Sequence, residues 1–156
     1  MKIAIFLFLS MIANASAAPT KLVCVKNSYT SVCNTMLPMP CPPPPPLPSI
    51  PLLTAKLDVS SDRQYVAGRA TASTTVDFEG VKFGVNVTGE FSMDADGRNY
   101  QPNVSLGLTD KVSGWTTQNN SAPEKETVSL SVMKSVNLDN HGKVSTAHGF
   151  VLCTLE

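Results

Sequence analysis

The chain has 156 residues, enough for one domain, with 12 basic and 12 acidic side chains and a net charge of zero. It shows no basic footprint of the kind that a duplex nucleic-acid binder needs, and no polybasic run for anionic lipid. After the N-terminal segment no apolar run reaches the ~20 residues of a membrane-spanning helix.

Residues 1–18 have the pattern of a secretory signal peptide. Lys2 supplies the charged start, Ile3 to Ala13 the apolar run, and Ala15-Ser16-Ala17 a small-x-small cleavage site. Cleavage would remove Lys2 and leave eleven basic against twelve acidic residues. The expected location is therefore secreted or periplasmic. Four cysteines follow the signal: Cys24, Cys33, Cys41 and Cys153. In an oxidising compartment an even count reads as disulfides. Spacing does not select among the three connectivities. A bridge from Cys153 to an N-terminal cysteine is favoured because it would clasp the last strand to the first segment. The spacings match no zinc pattern.

Residues 19–37 read as a short cysteine-containing segment. Thr20 to Val25 is expected as a strand, Asn27-Ser28-Tyr29 as a turn, and Ser31 to Asn34 as a short return strand. Residues 38–51 form a Pro-rich linker with nine of the twelve prolines, including the run Pro42 to Pro46. Such a run favours a stiff polyproline II spacer over a docking ligand, because most readers of such ligands are intracellular.

Residues 52–156 read as an antiparallel β domain. Leu53, Ala55, Leu57 and Val59 alternate with polar residues as one half-buried strand. Next come two apolar series spaced by two. Val66 to Phe78 and Val81 to Met93 flank Glu79-Gly80, a two-residue hairpin turn. Folding there sets Phe78 against Val81, Val76 against Phe83 and Ala72 against Val87. Asp77 then faces Lys82, and Arg69 faces Glu90, on the opposite surface. Slipping by one residue would put the apolar face in water. Arms of about 13 residues exceed the usual 5–6, so bends or bulges are expected at Gly68, Gly84 and Gly89.

Asp94 to Gly97 reads as a turn. Val104, Leu106 and Leu108 mark a strand, and Val112 to Thr117 a short strand with the single Trp115. Gln118 to Glu126 is a polar loop, and Val128 to Leu138 alternates as a further strand interrupted by Lys134. Asp139 to Gly142 is a turn closed by a glycine. In the last strand Val144, Phe150 and Leu152 share one face while Val151, Cys153 and Leu155 share the other, so both faces are expected to be buried. No helix periodicity appears. The expected fold is all-β: an antiparallel β-sandwich or small barrel built of hairpins and stapled by disulfides.

Chemistry is sparse. His141 and His148 have no nucleophile elbow to serve. Asp94 and Asp96 fail the calcium-loop spacing, with Asn99 and Ser105 where glycine and glutamate belong. No catalytic, cofactor or metal residues are assigned, and the chain is not expected to be an enzyme. Tyr65, Tyr100 and Trp115, with Tyr29, are candidates for a contact surface, against the plainer reading of Trp115 as core. Asn86, Asn103 and Asn119 head glycosylation sequons. The expected function is an exported binding or structural module acting on an unknown protein or envelope component, with self-association left open. The alternatives are a secreted enzyme (protease) inhibitor, its contact loop drawn from Gln118 to Glu126 or from the N-terminal cysteine segment, and a pore former whose Val76, Phe78, Val81, Phe83, Val85 and Val87 would face lipid.

Overall fold

The computed structural model describes residues 18–34, 48–138 and 142–156. The signal segment, most of the Pro-rich run with Cys41, and the residues 139–141 of the last expected turn lie outside them. Nine strands are described: β1 (Lys21–Asn34), β2 (Ile50–Lys56), β3 (Asp58–Ser61), β4 (Tyr65–Phe78), β5 (Val81–Asp94), β6 (Gln101–Asp110), β7 (Thr116–Asn120), β8 (Thr127–Asn137) and β9 (Lys143–Leu155). They form two antiparallel sheets, ordered β2-β1-β9-β8 and β3-β4-β5-β6-β7. The sheets pack face to face, so the sandwich is the architecture found. Among the described residues no helix is long and apolar enough to cross a membrane.

The β4–β5 hairpin keeps the register read from the alternation. Phe78 pairs with Val81, Val76 with Phe83, Ala72 with Val87, Asp77 with Lys82 and Arg69 with Glu90. Glu79 and Gly80 both take positive φ, 51° and 84°, as the two-residue turn requires. The expected bulges are absent, and pairing runs unbroken from Tyr65 to Val81. The glycines serve close packing instead. A Cβ on Gly68 would lie 2.3 Å from the Phe91 ring, and one on Gly89 would lie 2.9 Å from Leu155. Two 14-residue strands stay regular because each is covered by the opposite sheet or by aromatic side chains laid over glycine.

The core is drawn from both sheets. Leu22, Cys24, Val151 and Cys153 face Val85, Val104, Leu106 and Leu108, all fully buried, with Phe78, Phe83 and Phe91 nearly so. Residues that a membrane-inserting hairpin would turn to lipid, Val76, Phe78, Phe83, Val85 and Val87, are therefore core residues here. Insertion would first require the sandwich to open. Among the described residues no polar or charged residue is buried, so core formation incurs no unpaired-charge cost.

Four local expectations are corrected. Asn27-Ser28-Tyr29 is not a turn: β1 continues through it, because β9 offers a partner at every position from Leu22 to Asn34. The alternation from Leu53 to Val59 is two strands, not one. β2 pairs with β1 and β3 with β4, and buried Leu57 between them carries the chain from one sheet to the other. Its amide donates to the Thr20 carbonyl at 3.0 Å. Val59 is consequently exposed on an edge strand. Val112 to Thr117 is mostly turn, with Val112 92% exposed, and the edge strand β7 starts at Thr116 and takes in the first part of the expected polar loop. The last strand is fully buried on only one face. Val151, Cys153 and Leu155 point inward, while Phe150 and Leu152 are half-exposed on the outer surface.

Cys24 and Cys153 are directly opposed in β1 and β9 and form a disulfide. This is the clasp between first and last strands that the cysteine positions favoured. Cys33 is disulfide-bonded as well. The start of β1 is tied to Glu156 beside the clasp: Thr20 and Lys21 amides donate to the Glu156 carbonyl, and Lys21 Nζ pairs with the Glu156 carboxylate at 2.9 Å.

Candidate binding site

The outer face of the five-stranded sheet is mostly polar. On β4 it presents Arg69, Thr71, Ser73, Thr75 and Asp77, which alternate with the core residues. β5 adds Asn86, Thr88 and Glu90, and β6 adds Asn103, Ser105 and Thr109. Antiparallel pairing places directly opposed residues side by side, so this face is organised in rows across the strands. One row reads Asp58, Arg69, Glu90, Asn103 from β3 to β6. The adjacent row reads Ser60, Ala67, Ser92, Gln101.

These two rows line an open groove of about 1030 Å³, to which Pro123 and Glu124 also contribute. Its shape follows from side-chain size. Ser60, Ala67 and Ser92 are short and form a floor. The row with Arg69 and Glu90 stands higher beside it. Three inter-strand spacings separate β3 from β6, so the groove crosses about 14 Å of sheet. The wall at Pro123 is positioned by Ser121, whose amide donates to the Val104 carbonyl at 2.7 Å and whose hydroxyl accepts from the Val104 amide at 3.0 Å.

Electrostatically the groove is mixed. Arg69 stands between Asp58 and Glu90 in register, yet it forms no ion pair with either; ion pairs form elsewhere, as at Arg98–Asp96 and Lys21–Glu156. Glu90 is engaged otherwise: Asn103 Nδ2 donates to its Oε1 at 2.9 Å. The second opposed pair on this face, Asp77 and Lys82, also stays open, because the Asp77 carboxylate accepts from the Gly80 amide at 2.8 Å and caps the turn. Thus the charge pairs expected on the hairpin exist as register neighbours but not as salt bridges. Local backbone and amide donors reach the carboxylates first, without immobilising a long Arg or Lys side chain.

The aromatic candidates are not brought together. Tyr65, 57% exposed, is on the outer face of β4, one alternate position beyond Ala67, and is not among the residues that line the groove. Trp115, 56% exposed, is not core; it lies beyond Asp110, at the other end of β6. Tyr100 packs on Phe91 with centroids 5.9 Å apart, and its buried hydroxyl makes no hydrogen bond of good geometry. Burial, and then the neighbouring Glu126 carboxylate, push its pKa up. Tyr29 stacks on His148 on the outer face of the other sheet, centroids 4.4 Å apart. Ser31 Oγ lies 3.2 Å from His148 Nε2. The facing residues on β1, β9 and β8 around this pair are Asn27, Phe150, Ser131, Met133, Thr146 and Ser135, none of them an acid, so the couple lacks the third member of a triad.

The turn carboxylates are consumed locally. Asp94 accepts from Asn99 Nδ2 at 2.6 Å, and Asp96 pairs with Arg98 at 2.9 Å. Among the described residues no three His, Cys, Asp or Glu side chains cluster to hold a metal. Of the sequon asparagines, Asn119 donates to the Ser129 carbonyl and Asn103 to Glu90, whereas Asn86 is exposed with its side chain uncommitted.

Asp58, Arg69, Glu90 and Asn103 were not singled out as a site by the sequence. Alternation puts Arg69 and Glu90 on the outer face, but Asp58 and Asn103 join them only through the strand order. No protein-family model, curated protein or solved structure matches the chain.

Proposed function

We propose that this protein is an exported binding module whose ligand lies in the groove on the five-stranded sheet. The observation that carries the reading is Arg69, a guanidinium set between two carboxylate neighbours and bonded to neither. Left open in a groove, its five donors are available to a ligand. The signal-like N-terminus and the buried Cys24–Cys153 bridge support export. The Ser31–His148 couple on the other sheet has no acid among its facing residues.

The test is a cross-linking pull-down from the source organism's own secreted and envelope fraction, using the oxidised chain from Ala18 to Glu156. Ala67→Trp fills the floor of the groove without touching the core. We expect the species captured by the parent to be lost with Ala67→Trp at an unchanged melting temperature. Identical capture by the two proteins would refute the groove as the binding site.

A further inference from the structure

We propose that the groove takes a neutral glycan chain laid across the strands; this rests on the binding-module reading and adds the ligand class to it. The charges argue first. Asp58, Glu90 and Glu124 outnumber Arg69 in the lining, so a polyanion would meet net repulsion. A polycation laid along the row would meet Arg69 at its middle, between the two carboxylates. Hydroxyl groups suit an alternating row, because each both donates and accepts. Carboxylates at Asp58 and Glu90 accept from hydroxyls, the Arg69 fork donates to them, and the Asn103 amide does both.

Shape argues second. The floor of short residues runs across β3, β4 and β5, not along them, so it suits an extended polymer crossing the sheet. A peptide adding to a sheet would instead run along an edge strand and use its backbone groups. Tyr65 stands one alternate position beyond the floor on β4, about 7 Å away, with more than half its surface exposed. Its ring offers the apolar face of a sugar a platform while its hydroxyl stays in water.

Isothermal titration of the oxidised chain with cellohexaose, maltohexaose, mannohexaose and N-acetylchitohexaose tests this, with oligogalacturonate and hexalysine as charged comparisons. At least one neutral hexasaccharide should bind with a Kd below about 1 mM. That binding should weaken at least tenfold in Arg69→Lys, which keeps the charge but loses the fork, and be abolished in Ala67→Trp. Raising the salt from 50 to 500 mM should leave it within about twofold, since no ion pair to the ligand is involved. The glycan assignment is overturned by no neutral hexasaccharide binding, by tighter binding of either charged oligomer, or by neutral binding that survives Ala67→Trp. If the pull-down still yields an Ala67→Trp-sensitive partner while the hexasaccharides fail, the glycan class is wrong and the binding module stands. If both fail, both fall.

Discussion

Removing the Cys24–Cys153 bridge should cost this protein a large part of its stability. The bridge closes a loop with a sequence separation of 129. In the chain-entropy account, a loop of that size removes about 5 kcal/mol of conformational freedom from the unfolded chain. Typical domain stabilities are about 5–15 kcal/mol, so the loss is comparable with the whole margin. The cysteines are also fully buried, and alanine at both positions would add a packing cost. Cys24→Val with Cys153→Val refills that volume and isolates the cross-link. Urea unfolding of this double variant should show a midpoint well below the parent's and a steeper slope, because the released chain exposes more surface on unfolding. The melting temperature should fall by roughly 15 °C or more. The premise is that β1 and β9, the first and last strands, meet only at the cost of closing nearly the whole chain. A valine variant within about 1 kcal/mol of the parent would show that the unfolded chain already holds its ends together, and would refute the reasoning.

Two further outcomes follow from packing and titration. Gly149→Ala puts a methyl group 2.4 Å from the Phe78 ring, which is nearly fully buried; overpacking should destabilise by about 1–3 kcal/mol, and Phe78→Leu in the same chain should recover part of it, as a double-mutant cycle by thermal melts would read. Tyr100 has its pKa raised by burial and the Glu126 carboxylate, so the folded state holds a proton that the unfolded chain releases near pH 10. Its contribution is therefore full below that pH and is lost as pH rises above it. Tyr100→Phe should make stability fall less steeply between pH 9 and 11 in pH-jump unfolding; an unchanged alkaline limb would count against the placement of that hydroxyl.

The parts of the fold that were legible in the sequence are those where one residue's burial fixes its neighbour's exposure. The β4–β5 hairpin is the clearest: fourteen opposed pairs from Tyr65–Asp94 to Phe78–Val81 follow from two alternating series and a turn with two positive φ values. Burial of Val104, Leu106 and Leu108 follows from alternation alone. The misreadings have a common cause. Asn27 to Tyr29 has turn composition, yet a ladder to β9 keeps it extended; strand formation there is decided by a partner more than a hundred residues away. Leu53 to Val59 alternates without a break, yet Leu57 hands the chain to the other sheet, and nothing local distinguishes that passage from a continuous strand.

The groove was illegible for a related but distinct reason. Its residues are ordinary on their own strands, since polar side chains on the outer face satisfy the alternation equally well whichever polar residue is chosen. Core positions are constrained by volume and by the exclusion of charge, so their pattern survives reading one strand at a time. Outer-face positions become informative only as rows, and a row needs both the strand order and the register. Arg69 and Glu90 were already paired by the hairpin, and the natural inference from two opposed charges was a salt bridge. Asn103 changes that inference. It arrives from β6, takes the Glu90 carboxylate, and leaves Arg69 without its expected partner. A charge pair that looks structural on two strands thus becomes an unsatisfied donor in a groove on four. That difference is contained in no single strand of the sequence.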